Sequence, residues 1–291
     1  MTLLLESNGW DRKTRQPSRI PPSGSCDTAV HIYGRPGSSR LSPNRTYEPP
    51  EALLEDLENV HNTLGISRAV LIQPTIYDDD HSVLLSALAH DSSRYRGVAL
   101  VDEQTSDDTL VSWNRSGVRG ARFNFLSSLN IDWNPRKFKA CVDRTTALGW
   151  VTLVHGTVDE LLDRADMLLQ VNGPVVVDHM AHWNIVDDPV GGLKHRRLCE
   201  LLQTPNFWIK LSNGDRFSHV GVPFDDVVAL GESFASLVPD RAIWATDWPH
   251  ILYKGNVPND ADLLELLYRY APDDKVLERI LVSNPKKLFG F

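Results

Sequence analysis

Asp247 has the most informative setting of any charged residue in this sequence. It ends the apolar run Ala242-Ile-Trp-Ala-Thr-Asp247 and is followed by Trp248, Pro249 and His250. A short apolar run without alternation reads as a strand covered on both faces, and a proline cannot continue a central strand. Asp247 therefore falls at or just beyond a strand's carboxyl end, where it either caps a turn or helix or faces a site. Other residues able to do chemistry have similar settings. His31, His155 and His179 each lie at or near the end of an apolar run. So do Gln73 and Thr75, Arg122 and Asn124, and Lys210 with Arg216 just beyond it. A carboxylate among imidazoles can take a proton from water, or can help hold a divalent ion. Guanidinium groups recognise carboxylates in bidentate fashion.

The elements that must position these groups alternate along the chain. Strands are expected at residues 26–33, 69–73, 97–101, 120–125, 150–155, 174–179, 207–211 and 242–246. Helical spacing follows each, at 53–64, 82–90, 109–116, 138–148, 158–169, 193–202, 224–237 and 260–270. Eight strand-then-helix units imply right-handed crossovers and a parallel sheet. Eight units in this length suit a single (β/α)8 barrel, whose sites lie at the carboxyl ends of its strands. An open doubly wound sheet is the competing fold, but no Gly-x-Gly-x-x-Gly follows the first strand. Residues 1–25, with Pro17, Pro21, Pro22 and Gly24, read as an irregular lead-in, and residues 26–291 as the barrel domain. The Gly-, Pro- and Ser-rich stretch 34–50 is long enough to be a functional loop.

Composition narrows the function. A net charge of −8 over 291 residues, with no basic run, gives no support to a nucleic-acid partner. Cys26, Cys141 and Cys199 form no Cys-x-x-Cys pair, which suggests reduced thiols. No apolar run is long enough to span a bilayer, and the acidic Glu6 near the start does not suit a signal peptide. A cytoplasmic protein without membrane partners is expected, with homo-oligomerisation left open.

Three motifs carry a family resemblance. Asp27-Thr-Ala-Val-His31, Val175-Val-Val-Asp-His-Met180 and Ala245-Thr-Asp-Trp-Pro-His250 resemble the amidohydrolase superfamily. More narrowly they resemble its amidohydrolase-2 branch, which includes 2-pyrone-4,6-dicarboxylate lactonases and galactarolactone isomerases. Gly117-Val-Arg-Gly-Ala-Arg-Phe-Asn-Phe125 and Asn284-Pro-Lys-Lys-Leu-Phe289 fit that branch too. The resemblance implies a hydrolase opening a small carboxylated lactone, in catabolism of aromatic compounds or sugar acids. A lactone isomerase, a metal-dependent hydrolase or decarboxylase, and an inactive binding barrel are the alternatives.

Departures from the family pattern sharpen this expectation. Where the superfamily carries His-x-His on its first strand, this chain has Ala29 and His31. Alanine has no donor atom, so a zinc or manganese ion would have to use His31, His155, His179 and Asp247. The lactonase branch is implied to work without one, and no metal or other cofactor is expected. Asp247 is then the general base for water, since a carboxylate with an ordinary pKa near 4 is ionised at neutral pH. His31 and His179 polarise the lactone carbonyl. Arg122 and Arg216 match positions that hold substrate carboxylates, with rim salt bridges as the alternative. Tyr47, Thr75, Asn124, His155, His182 and His250, and Tyr77 behind them, are further candidate contacts. His182 stands where the dicarboxylate lactonases carry Arg, and Ser127-Ser128 replaces Lys-Arg, which argues for a substrate less anionic than a pyrone dicarboxylate. Trp183 and Trp248 are candidates to wall a pocket for a planar ring. Asp78-Asp79-Asp80 reads as a solvated helix start.

Overall fold

The apolar runs form eight parallel strands that pair strictly in chain order. They are β1 (Cys26–Val30), β2 (Arg68–Ile72), β3 (Tyr95–Leu100), β4 (Val118–Asn124), β5 (Val151–His155), β6 (Val175–Val177), β7 (Phe207–Leu211) and β8 (Ala242–Trp244). The structure is a computed structural model describing residues 4–291 except 8, 36, 38, 44, 130 and 132. The barrel closes between β1 and the segment that follows β8. Asp247 N donates to Ala29 O at 3.1 Å, His31 N to Trp248 O at 2.8 Å, and Thr28 Oγ1 to Trp244 O at 2.8 Å.

Asp27 ties that seam. Its fully buried carboxylate accepts from Thr246 N at 3.1 Å, Ala29 N at 3.3 Å and the Thr246 hydroxyl, and it meets His61 Nε2 at 3.3 Å. One side chain thus joins β1, the end of β8 and helix Leu54–Leu64. Buried carboxylates persist where such donors replace water.

Two apolar layers result. Alternate residues of the strands, among them Val70 and Ile72 on β2 and Val151 and Leu153 on β5, fill the barrel with Trp208, Leu288 and Phe289. The other faces pack beneath the helices. Leu288 and Phe289, on helix Asn284–Phe289, floor the barrel, and Asn284 donates to Ala242 O at 2.7 Å. That bond accounts for the Asn-Pro-Lys-Lys-Leu-Phe sequence near the end.

Helices Ser82–His90 and Asp260–Tyr270 lie where the spacing places them. Helix 158–169 instead divides into Val158–Leu162 and Ala165–Leu168, because Arg164 leaves helical geometry at φ −107, ψ 9. The last helix before β8 is Val228–Leu237, preceded by a single 3-10 turn at Asp225–Val227. Asp80 Oδ1 accepts from Ser82 N at 2.9 Å, and Asp79 pairs with Arg40, as befits a solvated helix start. The lead-in is bound to the barrel: Trp10 is buried against Trp248, their ring centroids 4.6 Å apart. Among the described residues no helix is long and apolar enough to cross a membrane.

Candidate active site

The carboxyl ends of the strands enclose a cavity of about 330 Å³. His31, Tyr47, Thr75, Arg122, Asn124, His155, His179, His182, Arg216 and Asp247 all line it, so most of the residues singled out in the sequence meet in one place. Larger clefts lie outside it. One of about 930 Å³ adjoins it across His182, Arg216 and Leu252, and one of about 800 Å³ runs between outer helices and bears none of these groups.

Asp247 leaves β8 with φ 63, a left-handed conformation that an L residue holds only when its surroundings impose it. This turns the carboxylate into the cavity. Oδ1 lies 3.5 Å from His31 Nε2 and 3.8 Å from His179 Nε2, and Oδ2 lies 3.4 Å from Arg216 Nη2. Burial works against its ionisation, but His179, the His31 contact and the Arg216 guanidinium outweigh burial. They hold the carboxyl well below the usual carboxylate range.

A second left-handed segment places two histidines. Strand β6 stops at Val177, and His179, Met180, Ala181 and His182 all have φ between 42° and 60°. No glycine marks this turn in the sequence. It directs His179 and His182 into the same cavity. Burial pushes His179 down to about 3 and His182 to about 4, and it pushes His155 well below its ordinary value. All three are neutral at neutral pH.

Their tautomers follow from their neighbours. His179 Nδ1 lies 2.8 Å from Ser212 Oγ, while its Nε2 faces Asp178 and Asp247. Facing two carboxylates favours the Nε2–H form, with Ser212 donating to Nδ1. His155 Nδ1 donates to Asn124 Oδ1 at 2.8 Å, so its Nε2 accepts from His182 Nε2 at 2.6 Å. His31 Nδ1 donates to Ile72 O at 3.0 Å. It therefore offers the cavity an acceptor at Nε2 when neutral and a donor there as the imidazolium.

The anion behind the cavity is Asp178, which the sequence marks only as part of the Val175-Val-Val-Asp-His-Met180 motif. It lies 2.7 Å from Lys210 Nζ and 3.3 Å from Arg122 Nη2, all three buried. Burial opposes its charge, but His179, Lys210 and Arg122 hold the carboxyl below its ordinary value. Asp178→Asn leaves two buried cations without an anion, so a loss of about 3–5 kcal/mol of stability is expected. The midpoint of urea unfolding tests this, and a near wild-type midpoint would refute the triad's structural role.

Three expectations need correction. His250 does not reach the cavity: it is buried behind Asp247, with Nε2 2.9 Å from Asp260 Oδ1. Its own positive φ of 61 swings the ring away. Trp248 packs on Trp10, and Trp183 packs edge-on to Phe234 while donating to Asp188 O at 2.7 Å. Neither walls the cavity, whose apolar surface comes from Leu126, Leu129, Ile251 and Leu252. Tyr77 supports the long loop by accepting from Gly34 N at 2.9 Å.

The imidazoles of His155, His179 and His182 come within 4.8 Å of one another and are the grouping to test for a metal. They do not fit one as arranged. Two nitrogens on a tetrahedral zinc, each at about 2.0–2.1 Å, stand about 3.3 Å apart, whereas His155 and His182 are at hydrogen-bonding distance. Ala29 brings no donor where the first strand enters the barrel interior. Arg122 and Arg216 line the same space and repel a cation.

A (β/α)8 barrel with a carboxylate, histidines and arginines converging at its strand ends carries its site where barrel enzymes carry theirs. Residues 26–291 match the Amidohydro_2 family, described as amidohydrolase. The chain belongs to that family. It is 33% identical over 276 residues to a 4-sulfomuconolactone hydrolase of Rhizobium radiobacter, spanning 92% of this chain and 91% of the relative. A D-galactarolactone isomerase of Agrobacterium fabrum is 29% identical over 279 residues, 94% of this chain and 93% of the relative. A crystal structure of an Agrobacterium tumefaciens protein superposes with a TM-score of 0.84 at 27% identity, covering 94% of this chain and 98% of the other.

Proposed function

We propose that this protein is a cytoplasmic catabolic enzyme that hydrolyses a small carboxylated lactone, using side chains rather than a resident metal. The observation that carries the proposal is the ionised, buried Asp247 facing His31 and His179 in a cavity that Arg122 and Arg216 also line. Asp247 accepts a proton as water attacks the lactone carbonyl carbon. His179 Nε2–H, held in place through Ser212, stabilises the negative charge that forms on the carbonyl oxygen, and His31 faces the same space as the second polarising group. Collapse of the tetrahedral intermediate breaks the ring C–O bond, and the proton on Asp247 passes to the leaving alkoxide. The product is the open-chain hydroxy acid.

Arg216 and Arg122 orient acidic substituents. Thr75, Tyr47 and Asn124 supply hydroxyl and amide contacts, with His155 and His182 as a neutral wall. Leu126 and Leu129 line the side where Ser127 and Ser128 add no cation, which fits a lactone less anionic than a pyrone dicarboxylate. Arg216→Gln is expected to raise KM for such lactones by about 10- to 100-fold, the value of a charge-assisted hydrogen bond. Steady-state kinetics with and without chelator check both points: chelator should change nothing.

The isomerase relative favours a second reading, in which a substrate hydroxyl rather than water attacks the carbonyl. Reaction in ¹⁸O-labelled water separates them. Hydrolysis places one labelled oxygen in the product carboxylate, and acyl migration places none.

A further inference from the structure

The lead-in touches the cavity wall at three separate points. Leu5–Glu6 pairs in parallel with Tyr47–Glu48, Leu5 N donating to Thr46 O at 3.1 Å, and Tyr47 lines the cavity. Ser7 Oγ accepts from the backbone N–H of Leu252 at 3.1 Å, and Leu252 lines it too. Trp10 covers Trp248, whose chain neighbour is Asp247 and whose carbonyl accepts from His31 N at 2.8 Å. Tyr47 lies in the connection after β1, whereas Asp247 and Leu252 lie in the connection after β8, so the lead-in links the loops of the barrel's first and last strands.

The following residues anchor this segment away from the cavity. Asn259 donates to Asp11 Oδ2 at 2.8 Å and Lys13 O at 2.9 Å, and it accepts from Arg15 N at 3.1 Å. Ser18 Oγ donates to Glu265 Oε2 at 2.7 Å, and Arg19 pairs with Asp274 at 2.7 Å. An anchored stretch followed back toward the start by three wall contacts has the form of a brace. A polar, proline-containing segment serving only as a tail needs none of these bonds.

We propose that the lead-in is a working part of the active site, with Ser7 and Trp10 as positioning residues that hold Leu252 and the Asp247–His31 pair in place. The kinetic half of this inference rests on the lactone-hydrolase reading, and the structural half does not. Misplacing reacting groups by an ångström can cost about 100-fold in rate. In the 291-residue chain, Trp10→Ala is therefore expected to lower kcat about tenfold or more with less change in KM. Trp10→Phe keeps an aromatic face over Trp248 and should recover most of the loss.

Histidine modification by diethyl pyrocarbonate, read site by site by mass spectrometry well below the thermal midpoint, gives an activity-independent measure. His31 and His179 have side chains only 10% and 3% exposed, whereas His90 is 59% exposed and serves as the fast standard. His81, buried and bonded to Asp79 O and Leu100 N and to none of the brace's contacts, reports general loosening. The brace predicts faster modification of His31 and His179 in Trp10→Ala with His81 unchanged. Unchanged cavity histidines, or a parallel rise at His81, overturns it. Should Trp10→Ala fail to fold, Ser7→Ala and Leu5→Pro carry the same test, since each removes one bond of the brace and no core volume. A protein that hydrolyses no lactone yet shows the selective histidine response would retain the brace and lose the lactonase reading.

Discussion

Asp247→Asn is expected to lower kcat for lactone hydrolysis by roughly 10²- to 10⁴-fold, the usual worth of a positioned general base. The substitution is nearly isosteric and removes the negative charge and with it the capacity to take a proton. Asn also tolerates the left-handed backbone better than most residues, so the φ of 63 at this position is not a reason for the variant to unfold. A thermal unfolding transition that stays cooperative, though shifted by loss of the charge facing Arg216, separates a chemical defect from a folding one. The measurement is initial rate by pH indicator over a panel of carboxylated lactones. A variant retaining a tenth or more of parental kcat would remove Asp247 from its proposed role and move attention to the His31 imidazole.

The second large effect is on stability as pH falls. His155, His179 and His182 have folded-state pKa values below that of an unfolded histidine near 6.5, so in mildly acidic solution the unfolded chain binds protons that the folded chain refuses. Their contribution is fully present above about pH 6.5 and is lost as pH falls below it. Each proton can tilt stability by about 1.4 kcal/mol per pH unit, so the three together set a limit of about 4 kcal/mol per unit. Asp178 and Asp247 add a loss of the same sign once pH falls below the unfolded carboxylate value near 4. His250, raised through Asp260 against the opposing effect of burial, acts the other way: its stabilisation fades as pH rises through its folded pKa. Urea midpoints at pH 7.5, 6 and 5 should fall steeply, and His182→Gln should flatten the slope by about a third. A midpoint independent of pH over that range would show that the histidines take up protons alike in the folded and the unfolded chain.

The barrel and its family were legible because they rest on strong local signals. Apolar runs as short as Val175-Val-Val177 still separate helices of readable period, and eight repeats of the pattern leave few topologies. Candidate residues at strand ends were legible for the same reason, since the barrel brings such ends to one face. What escaped was set by backbone turns with no residue signature. His182 and His179 share a cavity because four successive non-glycine residues are left-handed, and nothing in His-Met-Ala-His announces that. The same kind of turn sends His250 away from Asp247 although only two residues separate them. Asp178 was visible, but its pairing with Lys210 depends on how the end of β6 lies against β7. The lead-in looked irregular because its bonds run to residues some 240 positions away, as from Ser7 to Leu252.

The floor of the barrel has a bearing on how the protein is made. Leu288 and Phe289 complete an interior whose other members begin at Cys26, and the seam joins β1 to the segment after β8. During synthesis, strands from β1 onward emerge with their inward faces uncovered and must wait for residue 289 to leave the ribosome before the interior can close. Nascent chains of this protein therefore carry exposed apolar strands until residue 289 has been made, the condition under which chaperones bind and under which truncated products aggregate.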